Sequence, residues 1–503
     1  MNREKLMLLG CGLLATTATQ AQENQRPNII YIMCDDMGYG DLGCYGQQYI
    51  STPNLDNMAA EGMLFTDAYA GSPVSAPSRA SLMTGQHTGH TKVRGNKEYR
   101  IGNMKYGNNN DPVQTGQEPY SPDHIILPEI MKDNGYNTGM FGKWAGGYEG
   151  SECTPDKRGI DEYYGFMCQF QAHLYYPNFL NKYSKADGDT AVVREVLENN
   201  INYAMHGDDY KNRRDYSADI IHRKAMEWIE KQSADTPFFG IFTYTLPHAE
   251  LCQPEDSILQ AYKNSFCVEK SYGGDAGSRY NPTDCAHAQF AGMITRLDAY
   301  VGEIFALLKK KGFDDNTIVV FTSDNGPHEE GGADPAFFNR DGKLRGTKRS
   351  TLEGGIRIPY IVRWPGKVKA GSVNDHQLAF YDVMPTLCEI IGVEEYEEKY
   401  RNKNIENDYF DGISFAKTLL GKEGQEEHEF LYWEFHETNM MGLRMKDWKL
   451  VVKNGNCQLY DLATDAHEDH DLASQHPEIV KKMVDIIKQE HTNSPIFQVT
   501  LPK

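Results

Sequence analysis

The chain has 503 residues, of which 40% are hydrophobic and 11% aromatic. This length exceeds what one small core can organise, so we expect a large domain and a smaller one, and the composition excludes a disordered chain. The formal net charge of -20 argues against a general nucleic-acid or anionic-membrane surface. Any anionic substrate must therefore be held by a local cluster of cations.

The N-terminal segment has the pattern of a secretory signal. Arg3 and Lys5 precede an apolar stretch over residues 6–15, and small residues follow up to Ala21. The pattern predicts a signal peptide over residues 1–21 and export to the periplasm. A lipoprotein box ending at Cys11 is the alternative, although the apolar run before it is very short. No later apolar run is long enough for a transmembrane segment.

Strand and helix signals alternate through most of the chain. The first is a continuous apolar run over residues 28–34, which is typical of a parallel strand buried on both faces. The elements predicted after it are, in chain order, a helix from residue 52, a strand over 64–69, a helix after Ser75, a helix over 126–134, a strand over 138–141, a helix over 216–231, a strand over 238–245, a helix over 288–310 and a strand over 317–322. This alternation predicts an α/β fold whose mostly parallel central sheet is sandwiched by helices.

The pattern changes after residue 391. A charged linker over residues 394–408 leads to strand-like runs over 430–434, 442–445, 448–453 and 457–460 and to a closing helix over 478–489. Short strands with tight turns and one helix predict a small antiparallel sheet packed on the main domain. We therefore divide the chain into a main domain over residues 22–393 and a C-terminal subdomain over residues 394–503.

The cysteines give little guidance. Nine of the ten follow the predicted signal peptide, and an odd number in an exported chain leaves at least one free thiol. Cys252, Cys267 and Cys285 flank a glycine-rich loop where a disulfide can form, but the sequence alone does not pair them.

Acidic and amide side chains follow two of the predicted strands. Asp35 and Asp36 come directly after the first strand, and Asp324 and Asn325 follow the strand over residues 317–322. Ligand sites in open α/β sheets collect at the carboxyl ends of strands, so these four side chains are expected to meet. Four hard oxygen donors suit Ca²⁺ or, as the second choice, Mg²⁺, and the lack of a histidine cluster there argues against zinc.

The stretch over residues 71–85 reads Gly-Ser-Pro-Val-Ser-Ala-Pro-Ser-Arg-Ala-Ser-Leu-Met-Thr-Gly. A turn before a helix-compatible run would present Ser75 at a helix N-terminus, where unpaired backbone N–H groups attract anions. Alone, the stretch also fits an ordinary helix start with a capping serine and a solvated Arg79. The spacing Ser-x-Pro-Ser-Arg with Leu-Met-Thr-Gly downstream resembles the signature of the sulfatase family.

The resemblance implies a fold, a cofactor and a modification. The fold would be alkaline-phosphatase-like, and residues 22–393 would form the catalytic sulfatase domain. Ser75 would be oxidised to formylglycine by a formylglycine-generating maturase. In the family pattern the residue at that position binds Ca²⁺ together with four others, which here are Asp35, Asp36, Asp324 and Asn325.

The resemblance also implies how the reaction is divided among side chains. Arg79, Lys143 and Lys348 would neutralise the formylglycine and the sulfate oxygens, and His248 would contact the leaving-group oxygen as general acid. One hydroxyl of the formylglycine hydrate would attack sulfur, and the other would later expel sulfate. This route is not available to serine, which here has no Ser-His-Asp spacing to activate it.

One position departs from the family pattern. The family commonly continues Gly-Lys-Trp with His, and this chain has Ala145. In the family that His is thought to help collapse the sulfated intermediate. The sequence therefore leaves the base open, with His90 and His173 as candidates.

The substrate is expected to be a sulfated glycan. Residues 169–177 include aromatic and polar side chains that form a candidate wall for a sugar ring, although a packed loop is the alternative. The individual contacts predicted are His173, Arg345, His436 and Arg444, with Glu437 and Asn439 beside them. Polysaccharide sulfatases resemble this chain more than small aryl-ester enzymes do, which favours a galactose or N-acetylgalactosamine sulfate of mucin or a glycosaminoglycan.

Two other functions stay open at this point. One is a phosphomonoesterase or phosphodiesterase of the same wider superfamily, using unmodified Ser75 and metal. Such enzymes generally hold two zinc ions through several histidines, which this sequence lacks at the strand ends. The other is a catalytically weak glycan-binding protein, for which Ala145 is the only indication.

Overall fold

The computed structural model describes residues 26–101, 114–200, 214–267, 272–273, 280–405 and 408–503. The predicted signal peptide and Cys11 lie outside the described residues. In the part of the chain that is described, no helix combines the length and the apolar character needed to cross a bilayer.

A ten-stranded sheet organises the main domain, in the order β13-β2-β12-β11-β1-β10-β6-β7-β8-β9. The strands of the chain are β1 Asn28–Cys34, β2 Met63–Phe65, β3 Ala68–Tyr69, β4 Glu98–Ile101, β5 Gln114–Gln117, β6 Asn137–Lys143, β7 Glu162–Phe166, β8 Phe179–Ser184, β9 Val193–Val196, β10 Phe238–Thr243, β11 Thr317–Ser323, β12 Tyr360–Arg363, β13 Ser372–Asn374, β14 Leu378–Ala379, β15 Leu431–Phe435, β16 Met440–Met445, β17 Trp448–Lys453 and β18 Asn456–Asp461. The five strands β11, β1, β10, β6 and β7 are mutually parallel. Only β12 and β8 run against the others in this sheet.

Helices cover both faces of the sheet. They are α1 Pro53–Glu61, α2 Ser75–Thr84, α3 Leu127–Asp133, α4 Ser217–Lys231, α5 Ser257–Phe266, α6 Ala286–Lys311, α7 Glu353–Ile356, α8 Val383–Ile390, α9 Tyr396–Tyr400, α10 Ala416–Leu419 and α11 Pro477–Glu490. Apolar residues of α1, α4 and α6 form the core on one face, and those of α2, α3 and α8 form it on the other. The predicted α/β sandwich is confirmed.

The strand β1 shows why a continuous apolar run reads as a central strand. All seven of its residues are buried. Ile30 and Ile32 pack into one core, while Ile29, Tyr31 and Met33 pack into the other. Successive side chains of a strand point to opposite faces, so a strand covered on both faces needs apolar residues at every position.

The C-terminal region forms the predicted antiparallel sheet, β15-β16-β17-β18, with α11 packed on it. Its opposite face docks on the main domain around Trp433, whose indole N–H donates to the carbonyl of Ala70 at 2.8 Å. Beside it Lys449 and Glu353 form a fully buried ion pair at 2.8 Å. The two parts of the chain are thus joined by buried polar contacts as well as by apolar packing.

Two local predictions differ from the structure, and several elements were not predicted. Residues 64–69, predicted as one strand, split between β2 and β3 because Asp67 turns towards Arg357 and Arg444, at 2.7 and 2.8 Å. The linker contains the helix α9. The hairpin of β4 and β5 was not predicted. Among the cysteines considered, Cys267 and Cys285 form a disulfide.

Candidate active site

The carboxyl ends of the central parallel strands meet at one edge of the sheet, and the predicted site residues collect there. Asp35 and Asp36 follow β1, Lys143 ends β6, and Asp324 and Asn325 follow β11. The helix α2 begins at Ser75 against this edge, with Val74 at its N-cap position. The neighbouring strands are in register, so their ends bring these side chains together although they are far apart in sequence.

Ser75 and Asp35 form the centre of the site. The Ser75 hydroxyl donates to Asp35 Oδ1 at 3.0 Å, and Lys143 Nζ donates to Asp35 Oδ2 at 2.6 Å. Arg79, one helical turn after Ser75, donates through Nε and Nη2 to Asp324 Oδ2 at 3.1 and 2.8 Å. These five side chains are all buried, so the contacts lie in a medium where charge interactions are strong.

A second set of contacts surrounds Asp36. Lys348 Nζ lies 2.8 Å from Asp36 Oδ2 and 2.9 Å from His248 Nε2. Asn325 Nδ2 donates to Asp36 Oδ1 at 2.7 Å. On its outer side, Lys348 also approaches Glu330 at 3.3 Å. His248 Nδ1 faces the carbonyl of Ala249, so Nε2 is the nitrogen that points into the site.

We call the following set the floor cluster: Asp35, Asp36, Ser75, Arg79, Lys143, His248, Asp324, Asn325 and Lys348. The structure brings together all nine of the predicted catalytic and metal-binding residues. The catalytic and metal-binding roles of these residues stay predictions.

Two aspartates of the floor cluster respond differently to burial. Burial opposes ionisation of Asp35, but Lys143 and His248 hold its pKa well below the usual range. At Asp324, burial and the charge of Asp35 raise the pKa to about 6, against the effect of Arg79. Burial and the positive charge of Lys348 lower the pKa of His248. The pKa of Asp324 is thus raised mainly because the carboxyl group is fully buried.

The donor set fits a hard divalent cation. The floor cluster contains three carboxylates and three basic side chains, and these formal charges cancel: Asp35, Asp36 and Asp324 against Arg79, Lys143 and Lys348. A sulfate ester would then meet no net positive charge. In addition, Asn325 Oδ1 is buried and accepts no hydrogen bond from the described residues. A hard cation bound by these oxygens would supply both the charge and the missing partner.

The floor cluster opens into a cavity of about 940 Å³. Its lining includes Ser75, Lys143, His248 and Lys348 at the inner end. The other lining side chains are those of Asn96, Glu98, Gln117, Gln169, Phe170, His173, Tyr272, Tyr280, Glu329, Glu330, Arg349 and Glu437. Among them, Glu329 and Glu437 are exposed, which places them at the mouth of the cavity. A cavity of this size suits a ligand of one or two sugar rings, and its side chains offer both hydrogen bonds and ring faces.

His173 is the one of the two histidine candidates that reaches the cavity. Its ring stacks on that of His248, with centroids 4.5 Å apart and planes 11° from parallel. Its Nδ1 is buried and has no hydrogen-bond partner among the described residues. His90 instead lies beside Asp411, with Nδ1 2.8 Å from Oδ1. Ala145 is buried and is not among the residues that line the cavity.

Three predicted substrate contacts lie elsewhere. Arg345 donates to the carbonyl of Glu468, and its guanidinium lies over the ring of Tyr460. Arg444 pairs with Asp67 at 2.8 Å. These two arginines bind the C-terminal sheet to the main domain, because their carboxylate, carbonyl and ring partners lie in that seam. They are not among the residues that line the cavity.

His436 is also placed outside the cavity lining. Its Nδ1 faces the carbonyl of Gln498 at 2.6 Å, and its ring contacts that of Phe497. Asn439 donates to Asn454 at 2.8 Å. Glu437, the residue directly after His436, does reach the cavity, so the C-terminal subdomain contributes to the cavity wall through this side chain.

Several lining residues were missed from the sequence. Asn96, Gln117, Glu330 and Arg349 carry no motif of their own, and they approach the site only because loops and the hairpin fold back over it. Gln169 belongs to the segment predicted as a sugar-binding wall. Its Nε2 donates to Asn96 Oδ1 at 2.7 Å, which also accepts from the backbone N–H of Ala76 at 3.1 Å.

Comparison with known proteins agrees with this geometry. The family model described as Sulfatase matches residues 27–393, and the model described as N-sulphoglucosamine sulphohydrolase, C-terminal, matches residues 346–493. An N-acetylgalactosamine-6-O-sulfatase of Bacteroides thetaiotaomicron is 29% identical to the chain, over 97% of each protein. The mouse N-acetylgalactosamine-6-sulfatase is 31% identical, over 85% of this chain and 72% of that protein.

Solved structures give the same result. The crystal structure of Ps i-CgsB in complex with k-i-k-neocarrahexaose has a TM-score of 0.69 and 28% sequence identity, and the match covers 92% of each chain. The fold, the site and the family model together show that this chain belongs to the sulfatase family and is a sulfuric ester hydrolase.

Proposed function

We propose that the chain removes the 6-sulfate of N-acetylgalactosamine or galactose in a glycan, with a formylglycine made from Ser75 as the nucleophile. The observation that carries this proposal is the position of Ser75. Its Oγ lies 3.0 Å from Asp35 at the bottom of a sugar-sized cavity, among the cations Lys143 and Lys348. The relatives named as N-acetylgalactosamine-6-sulfatases support the sugar and the position of the ester.

The basic side chains of the floor cluster bind and orient the sulfate group. Lys143 and Lys348 line the inner end of the cavity, and each is buried and bonded to an aspartate that fixes its position. Arg79 forms an ion pair with Asp324, which fixes its position beside these residues. Positioned donors of this kind stabilise the charge that develops on sulfate oxygens and need no reorganisation during the reaction.

The leaving oxygen needs a proton to become the alcohol as the ester bond breaks. Lys348 Nζ and His248 Nε2 are 2.9 Å apart and both face the cavity, so this pair can deliver a proton to the leaving oxygen. His173 stacks against His248 and restricts the orientation of its ring.

Two groups complete the proposed site. Ca²⁺ would be held by Asp35, Asp36, Asp324, Asn325 and residue 75, where it would supply positive charge to the sulfate group. Formylglycine at position 75, made by a dedicated maturase, would supply a hydroxyl nucleophile in its hydrated form.

We also propose that the protein is exported to the periplasm. The basic and apolar pattern of residues 1–21 supports export. The disulfide between Cys267 and Cys285 supports it independently, because such bonds persist in oxidising compartments.

A panel of defined esters tests the proposed function. Protein purified from its native host should release sulfate from N-acetylgalactosamine 6-sulfate or galactose 6-sulfate. We expect kcat/KM to be at least about tenfold lower for the 4-sulfates, because the ester is carried by a hydroxyl with a different orientation. We expect a similar loss for the matching 6-phosphates, because the charge of the ester changes. The Ser75→Ala variant should lose turnover and still bind the sugar. Hydrolysis of the phosphates alone would contradict the proposal.

A further inference from the structure

The cavity has opposite charge at its two ends. The inner end carries Lys143 and Lys348. The lining also carries the exposed carboxylates of Glu329 and Glu437, at the mouth of the cavity, and the half-buried carboxylate of Glu98. Arg349, which also lines the cavity, forms an ion pair with Glu330 at 2.7 Å and lies within the influence of the Glu437 charge. A sulfate ester therefore finds the donors of Lys143 and Lys348 at the inner end, while any second anion further out on the substrate meets carboxylates.

The carboxylate of Glu437 is fixed with respect to the floor cluster. Its Oε1 accepts the backbone N–H of Asn96 at 2.7 Å. Asn96 in turn accepts the N–H of Ala76 through its side chain at 3.1 Å, and Ala76 directly follows Ser75. The negative charge at the mouth is thus connected by two hydrogen bonds to the residue beside the nucleophile position, so it keeps a set distance from the reacting ester.

The rest of the outer wall is uncharged. Asn96, Gln117 and Gln169 offer amide donors and acceptors, and Tyr272 and Tyr280 offer ring faces. Such groups match the hydroxyl, acetamido and C–H surfaces of a neutral sugar. The formal net charge of -20 adds a long-range field of the same sign as the mouth.

We propose that the carboxylates at the cavity mouth select sugars whose only nearby anion is the sulfate being removed, and that they discriminate against a second sulfate or a uronate beside it. This proposal rests on the sulfatase function proposed above and narrows its substrate class to singly sulfated, otherwise neutral glycans. Each carboxylate some 7 Å from a second anion at an intermediate dielectric should disfavour it by roughly three- to thirtyfold.

The test compares N-acetylgalactosamine 6-sulfate with N-acetylgalactosamine 4,6-disulfate. For the wild-type protein we expect kcat/KM to be at least about tenfold higher for the monosulfate, and the ratio should shrink at high salt because the mouth is open to screening. The double variant Glu329→Gln and Glu437→Gln should lower the ratio by about tenfold or more. Glutamine keeps an acceptor for the N–H of Asn96, so the wall keeps its shape. Glu423→Gln, an exposed change outside the cavity lining, should leave the ratio unaltered.

A binding measurement gives a second readout. With Ser75 unmodified, calorimetric dissociation constants for the two esters should show the same preference and the same response to the double variant. Equal kcat/KM values for the two esters in the wild-type protein would overturn the proposal, as would a double variant that keeps the full ratio. If neither ester were hydrolysed or bound, the proposed function would fail first and this inference with it.

Discussion

The buried ion pair between Lys449 and Glu353 gives a quantitative prediction about how the C-terminal sheet supports the site. Both side chains are 0% exposed, and the atoms are 2.8 Å apart. Glu353 begins a helical turn only five residues after Lys348, whose ammonium lies in the cavity. Replacing Lys449 by Met removes the cation nearest to the buried carboxylate of Glu353.

The expected loss of stability depends on the partners that Glu353 keeps. Removing one partner of a buried pair typically costs 3–5 kcal/mol. Glu353 would keep the hydroxyl of Tyr69 at 2.7 Å and the guanidinium of Arg357 at 3.6 Å, which partly offset the loss. We therefore expect Lys449→Met to lower the free energy of unfolding by ~3 kcal/mol, at the lower end of that range.

The assay is urea unfolding followed by tryptophan fluorescence, because Trp433 lies 4.8 Å from the Lys449 ammonium and reports on this seam. Lys453→Met is the matched control, since Lys453 is exposed at the end of the same strand, and it should change stability by less than ~0.5 kcal/mol. Adding Glu353→Gln to Lys449→Met should recover part of the loss. The reasoning is refuted if Lys449→Met costs no more than the control, or if the double variant is less stable than the single one.

Four further predictions concern the site and the seam. Chelation of divalent cations should abolish sulfate release, and Asn325→Ala should raise the Ca²⁺ concentration for half-maximal activity at least ~tenfold in a metal titration. His173→Asn should lower kcat/KM by about tenfold or more and leave the free energy of unfolding unchanged, as measured in parallel kinetic and urea experiments. Burial and the neighbouring Glu353 raise the pKa of Glu468 to about 8. Protonated Glu468 therefore contributes stability that is complete below about pH 4.5 and is lost as the pH rises to 8. The free energy of unfolding should be lower at pH 8 than at pH 5, and Glu468→Gln should remove this difference. Arg345→Ala should reduce stability by about 1 kcal/mol with little change in KM, whereas a large rise in KM would place Arg345 at the substrate after all.

The fold and the acidic side chains of the floor cluster could be predicted from local patterns in the sequence, whereas the basic side chains and His248 were predicted from the resemblance to the sulfatase family. An unbroken apolar run such as that of β1 identifies a strand covered on both faces. Polar residues directly after such strands, such as Asp35 and Asp324, must meet where parallel strands end. The position of Ser75 followed from a motif whose residues are adjacent in the chain. Each of these inferences needed only neighbours in sequence or neighbours in the sheet.

The outer wall could not be predicted because it depends on how loops return. Glu437 and Arg444 are seven residues apart, on one hairpin of the same subdomain, yet Glu437 reaches the cavity while Arg444 turns into the seam to pair with Asp67. No periodicity distinguishes these two charged residues. Arg345 was predicted as a substrate contact because it lies close to Lys348, but its guanidinium packs over Tyr460 instead. Long charged side chains reach in several directions, so proximity in sequence does not fix their partner.

We propose that the residue at position 75 reacts as an aldehyde hydrate beside the basic side chains of the floor cluster. Mass spectrometry of the peptide containing residue 75, taken from a preparation that turns over N-acetylgalactosamine 6-sulfate, tests this most directly. We predict a mass about 2 Da below that of the serine peptide, from the loss of two hydrogens. A fully active preparation whose peptide has only the serine mass would contradict the account.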